Sequence, residues 1–361
     1  MRQPETDHAG LALFDELLDI PAPSGHEDAF AAFLVRRLGE WGYKSIVDDA
    51  GNVVVRVDGE REGAPLVCLA AHIDEIGMIV TGIESDGNLR VTRSGGLFPW
   101  KLGEGPAEIL GDRETILGAV SAGSGHSRSV VSQELTWERV RVLTGLTPRS
   151  LRERGVRIGS PIVPAPGVRG PFLFGDASDP MVGSWTFDNR LGVAAVLQLL
   201  QRAKDDSLKP RCPFLVAFTV QEEIGCHGAK ILANRERPDV FVAVDGSPLV
   251  PECPIALDGR PGIRSKDRVA TYDTGLFSDL CRLSADAGVE LQPVVYDGAA
   301  SDASLVYSIG ASPRVACLGY VRASSHGFEV APLSTFDKLL ATITAFFLHW
   351  EGGSSVTARG G

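Results

Sequence analysis

The stretch Ala64–Val80, APLVCLAAHIDEIGMIV, decides the fold. Its apolar run from Pro65 to Ala71 reads as a strand buried on both faces, which belongs to a parallel sheet covered by helices. The run opens directly onto His72, Asp74 and Glu75. Three titratable side chains at the end of a buried strand call for an explanation. In open α/β sheets the ligand crevice lies beyond the carboxyl ends of the strands.

Working outward, other apolar runs end the same way. CPFLVAFTV leads to Gln221-Glu222-Glu223, DVFVAVD to Asp245, and SPRVACLGY through VRASS to His326. Asp188 stands just before NRLGVAAVLQLLQRAKDD, whose apolar spacing predicts a helix. Further helices are predicted in LALFDELLDI, EDAFAAFLVRRLGEWG, near Gly228 to Asn234, in TGLFSDLCRLSADAG and in STFDKLLATITAFFLHWEG. Ser24, with Glu27 three residues on, fits an N-cap for the second of these. KSIVDDAGNVVVRVDG reads as a strand pair bending at Gly51-Asn52.

From Ile76 to about Pro166 helical spacing nearly vanishes. Short β-type runs (GMIVTGI, NLRVTRS, AEILG, TILGAV, SPIVPAP) alternate with turn residues, which predicts a small barrel or sandwich. A short helix is expected within TWERVRVLTGLTPRSLRERG. The expected architecture is an α/β domain with a mostly parallel, sandwiched sheet from residues 1–75 and 167–361. A β-rich, barrel-like domain, 76–166, is inserted in it.

Composition narrows the function classes. The formal charge of −11 argues against wrapping nucleic acid or docking on an anionic membrane. No segment reaches the roughly 18 consecutive apolar residues of a membrane span, and MRQPETDHAGLALF lacks the layout of a signal peptide. Six scattered cysteines form no C-x-x-C pair, so neither a disulfide framework nor a thiolate zinc site is indicated. A cytoplasmic protein is expected.

His72, Asp188, Glu223, Asp245 and His326 make a nitrogen and oxygen donor set without sulfur, suited to Zn2+, Co2+ or Mn2+. Five side chains exceed the three protein ligands of a single catalytic ion. They suit two ions roughly 3.5–4 Å apart that share a carboxylate. Asp188 is the natural bridge, with His72 and Asp245 on one ion and Glu223 and His326 on the other. Asp74, two residues from His72, is placed to accept its other imidazole N–H and fix the tautomer. Glu222 is then free to act as general base on a water.

The motifs AAHIDEIGMIV, WTFDNRLGVAA, VQEEIGCHGA, VAVDGSP and SSHGFE resemble the M42 family of dinuclear metal aminopeptidases, the tetrahedral or glutamyl-aminopeptidase-like group. The resemblance covers most of residues 10–350. It implies the same five ligands, with Glu222 as catalytic base and Asp74 orienting His72. It also implies short peptide substrates and a homo-oligomer, with the inserted domain used for dimerisation, in assemblies up to dodecamers. Residues 121–145, SAGSGHSRSVVSQELTWERVRVLTG, differ from the family's usual loop.

A second reading is a metal-dependent amidohydrolase or deacylase acting on N-acylated amino acids. An inactive metal-binding shell is a third, and a two-carboxylate glycosidase would leave the histidines without a role. His26-Glu27 lacks a second histidine at Phe30, so it forms no zincin motif. His227 and Cys226 are read as loop or helix residues, His126 as a surface-loop residue and His349 as a packing residue. Asp302, in GAASDAS, is read as shaping the pocket, and RSKDR (264–268) as a solvated charge run.

Overall fold

The computed structural model describes residues 8–124, 126 and 134–353. Residues 1–7 of the N-terminal reading, and positions 125 and 127–133 of the segment singled out above, lie outside them. The chain forms a mixed α/β fold with one large sheet and a closed barrel.

The four central strands of the eight-stranded sheet run parallel, in the order Phe214–Thr219, Val67–His72, Val240–Val244, Arg314–Gly319. Alternate residues of each strand feed opposite layers, as the twofold strand period requires. Val67, Leu69 and Ala71 join the larger core, packed under the helices Ala9–Leu18, Asp28–Glu40, Phe187–Asp205 and Ser334–His349. Cys68 and Ala70 face the smaller core, which includes Ala229, Leu232, Ala303 and Val306 from the helices His227–Glu236 and Asp302–Ser308. Burial on both faces accounts for continuous apolar runs with no polar alternation.

Antiparallel strands complete the sheet. Ser45–Val47 and Val53–Val57 pair as a hairpin, with Gly51 at φ +97° in its turn. Val53–Val57 also pairs with Phe214–Thr219. At the other side Gly262–Lys266 runs antiparallel to Arg314–Gly319 and parallel to Gln292–Val295.

The closed barrel is built from Gly77–Ile83, Leu89–Ser94, Arg141–Leu143, Thr115–Ser121, Gly105–Leu110 and Pro161–Pro164. Met78, Val80, Leu89, Val91, Ala107, Ile109, Val142 and Ile162 fill it. Of the interruption expected to hold a helix, Arg141–Leu143 is a barrel strand and Pro148–Glu153 is the helix, capped by Thr147. The chain leaves the sheet after His72, and the last barrel strand, Pro161–Pro164, leads into the short helix Pro166–Arg169. Buried Glu75 and Arg169 pair across this junction at 3.2 Å, and Glu75 also meets buried Arg190 at 3.3 Å.

Two expectations are corrected here. Ser24 does not cap a helix: the helix starts at Asp28 after Glu27, and the Ser24 hydroxyl donates to Asp74 Oδ2 at 2.7 Å. A buried carboxylate needs donors more than an exposed helix end does. His349, read as a packing residue, is exposed, because Phe346, Phe347 and Trp350 take the buried face.

Candidate metal centre

Every central parallel strand delivers a candidate residue at its carboxyl end. Val67–His72 ends in His72, and Phe214–Thr219 runs on to Glu222 and Glu223. Val240–Val244 is followed by Asp245, and Arg314–Gly319 leads through Val321–Arg322 to His326. Asp188 enters from the start of the helix Phe187–Asp205, where the Asp188–Asn189 peptide bond is cis.

These residues converge. One donor atom each from His72, Asp188 and Asp245 lies within 4.8 Å of the others, and the same holds for Asp188, Glu223 and His326. His72, Glu222 and Glu223 form a further such group. Asp188 therefore belongs to both main groups. His72 Nε2 is 3.2 Å from Asp188 Oδ1, while His326 Nε2 is 3.6 Å from Asp188 Oδ2 and 3.7 Å from Glu223 Oε2.

Asp74 is fully buried and ties the strand ends together. Its Oδ1 accepts the Glu222 amide at 2.9 Å, and its Oδ2 accepts the Glu223 amide at 3.2 Å as well as Ser24. His72 Nδ1 stands 3.4 Å from the Asp74 carboxylate and 3.2 Å from the Asp74 carbonyl oxygen. Burial opposes ionisation of Asp74, but His72, Ser24 and the Glu222 amide outweigh it and hold the carboxyl below its usual range.

Three residues around the centre were not among the candidate site residues read from the sequence. Arg322, buried, donates to Asp188 Oδ2 and, through Nε, to Glu329 Oε1 at 2.6 Å. Glu329 in turn accepts the Asp188 amide at 2.9 Å and the His326 amide at 3.1 Å. Arg264 donates to Asp245 Oδ2 at 3.1 Å and to the Gly246 carbonyl at 2.8 Å. The reading of 264–268 as a solvated run fails at Arg264, which is only 3% exposed. It lies on an inner strand, Gly262–Lys266, facing a carboxylate, whereas Lys266 and Arg268 are exposed. Strand alternation would put Arg264 and Lys266 on one face; a register shift between them separates buried Arg264 from exposed Lys266, which the sequence did not disclose.

The site lacks enough cationic charge for its carboxylates. Burial pushes Glu223 up to about 7 despite the pull of His326, and pushes Glu222 well above the usual carboxylate range despite His72. Glu223 in return raises His326 to about 10. Burial also raises Asp245 against the opposing effect of Arg264. Glu223 Oε1 is buried with no hydrogen-bond partner. Crowded carboxylates, an orphaned oxygen and two imidazoles at strand ends form a donor set that fits divalent cations.

The centre opens on a cleft of about 1010 Å³, whose walls include Pro248, Val250, Tyr296, Leu305 and Arg268. His126 and His227 are exposed, and His227 opens the helix His227–Glu236. Among the described residues no helix is long and apolar enough to cross a membrane.

Comparison with known proteins places this geometry. Residues 51–341 match the M42 glutamyl aminopeptidase family. The glutamyl aminopeptidase of Lactococcus lactis subsp. cremoris is 31% identical over 258 residues, covering 66% of this chain and 67% of that protein. The lysyl aminopeptidase of Pyrococcus furiosus is 27% identical over 238 residues, covering 64% and 65%. The solved structure of a Pyrococcus horikoshii TET1 peptidase, described as assembling into a tetrahedron or a large octahedral shell, superimposes with a TM-score of 0.83. It is 25% identical and covers 94% of this chain and 100% of its own. The chain belongs to the M42 glutamyl aminopeptidase family and is an enzyme of the peptide-bond hydrolase class.

Proposed function

We propose that this protein is a dinuclear metal aminopeptidase that removes N-terminal residues from short peptides. The observation that carries the reading is the pair of donor groups sharing Asp188, with Glu222 beside them. In this reading His72 and Asp245 hold one ion, Glu223 and His326 hold the other, and Asp188 bridges. Zn2+, Co2+ or Mn2+ would suit these donors, and when bound would supply Lewis acidity and lower the pKa of a bound water towards about 7.

The chain's own residues do the rest. Glu222 takes the proton of the attacking water on its carboxylate and returns it to the departing amine. Burial raises the proton affinity of this carboxylate, in the direction that taking up a proton requires. Asp74 is a positioning residue: it fixes the Glu222 and Glu223 amides and faces the His72 imidazole. The cleft walls hold the substrate's first side chain and exclude water from it.

The inserted segment 76–166 is the proposed dimerisation domain, and larger shells such as that described for the TET1 peptidase are the proposed end point. Six free thiols support a reducing, cytoplasmic setting.

The test combines an elemental metal count with aminoacyl-nitroanilide and N-acyl amino acid substrates. We expect two ions per chain and hydrolysis of the aminoacyl series alone. Glu222→Gln is expected to keep both ions and lose about 10²–10⁴-fold in rate. Cleavage of N-acyl amino acids alone, or a fully active Gln variant, would overturn the proposal.

A further inference from the structure

Cys226 takes no part in the donor groups around Asp188, yet it lies on the wall of the same cleft. The turn after Glu222 returns the Cys226 amide to the Glu222 carbonyl at 2.9 Å and sets Cys226 at φ 55°, ahead of the helix His227–Glu236. This places Sγ 3.5 Å from Glu222 Oε1. Asp302, the first residue of the helix Asp302–Ser308, completes the group. One donor atom each from Glu222, Cys226 and Asp302 lies within 4.8 Å of the others.

Asp302 is the decisive member. It is 3% exposed, and its Oδ2 accepts the Thr219 hydroxyl at 2.6 Å, while Oδ1 is buried with no partner. Leaving a buried acceptor unsatisfied costs about 1–3 kcal/mol. Nothing in the hydrolytic reading employs that oxygen or the thiol. A cation would satisfy the oxygen and take the place of the thiol proton that now faces Glu222, and sulfur sets the class of cation. A thiolate with two carboxylates selects a soft or borderline ion over Mg2+ or Ca2+. Three protein donors are also the number used by zinc sites that keep one position open.

We propose that Glu222, Cys226 and Asp302 form a third cation site that takes a thiophilic divalent ion such as Zn2+ or Cd2+. By engaging the Glu222 carboxylate, the ion arrests hydrolysis. The arrest rests on Glu222 being the general base; the binding does not. On binding, the Cys226 thiol gives its proton to solvent and its sulfur becomes a ligand, with no change of oxidation state. Cation in excess of the hydrolytic complement is then a brake rather than an activator.

The test titrates the full chain with Cd2+ while following the ultraviolet thiolate-to-cadmium charge-transfer band. The donor groups around Asp188 contain no sulfur, so the band reports only a cysteine site. We expect a band that saturates at a single cadmium per chain, is lost in Cys226→Ala and survives in Cys281→Ala, the half-buried control thiol. Loss of even an outer partner of a metal ligand costs about 10–100-fold in affinity, so Asp302→Asn should weaken the band's titration by at least about tenfold. Hydrolysis followed in parallel should fall as the band grows. Each variant is compared with its own rate at low cadmium, and the Cys226→Ala rate should resist the excess. Absence of the band, or its persistence in Cys226→Ala, overturns the site and leaves Glu222 as base untouched. A band that forms while hydrolysis continues overturns the arrest, and with it the role of Glu222.

Discussion

Replacing Asp74 by asparagine separates two jobs that one carboxylate performs. Asp74 accepts the amides of Glu222 and Glu223 and the hydroxyl of Ser24, and it faces His72 Nδ1 at 3.4 Å. Asparagine keeps the shape but offers one acceptor oxygen and turns an NH2 group towards the remaining donors. At least one backbone N–H then loses its partner in a fully buried place. An unsatisfied buried donor costs about 1–3 kcal/mol, and a hydrogen bond to a charged acceptor is itself worth about 1.5–3 kcal/mol. The expected loss is therefore about 2–4 kcal/mol, read as a fall in the urea midpoint at constant slope. Ser24→Ala removes one donor and leaves the carboxylate, so it should cost about 1 kcal/mol. The functional arm is metal affinity by equilibrium dialysis. If the carboxylate orients His72, Asp74→Asn should weaken binding by about 10–100-fold while Ser24→Ala leaves it unchanged. Unchanged affinity in Asp74→Asn would refute the orienting role and hand it to the Asp74 carbonyl, which lies nearer to Nδ1 at 3.2 Å.

Three other outcomes are expected. In Glu75→Gln the buried guanidiniums of Arg169 and Arg190 lose their counter-charge, which should cost about 3–5 kcal/mol in chemical denaturation. A methyl group at Gly96 would lie 2.5 Å from His326 Nδ1, so Gly96→Ala should displace that imidazole. Dialysis should then find one of two ions weakened by about 10–100-fold. Chelation should lower the thermal midpoint, because an ion at about 1,000 times its Kd stabilises the folded state by about 4 kcal/mol.

The fold was legible where burial leaves its mark on residue type. Runs such as VCLAA and FLVAF are apolar throughout because both faces are covered, and five short β-type runs between turn residues marked the barrel. The convergence of His72, Glu223, Asp245 and His326 was legible because each follows an apolar run, and that of Asp188 because it precedes a helix. What supports them was not. Arg322 and Glu329 flank His326, and their pairing appears only when the chain turns back so that Ala323 bridges Val330. Arg264 was hidden among charged neighbours, since a count of charges does not say which one faces inward. Ser24 illustrates a different difficulty. A hydroxyl near a helix start has a local use, and a carboxylate fifty residues away in sequence claimed it instead.

The Gly96 carbonyl, which lies in the segment between barrel strand Leu89–Ser94 and the barrel's next strand, faces His326 Nδ1 at 3.2 Å. A Cβ on Gly95 would lie 3.2 Å from the Glu223 side chain. The barrel thus acts as a lever whose short arm rests on the chemistry. A side chain added at Gly95 or Gly96 would meet Glu223 or the His326 imidazole directly, without passing through the sheet. Swapping the barrel for that of a relative is therefore a kinetic alteration as much as an architectural one.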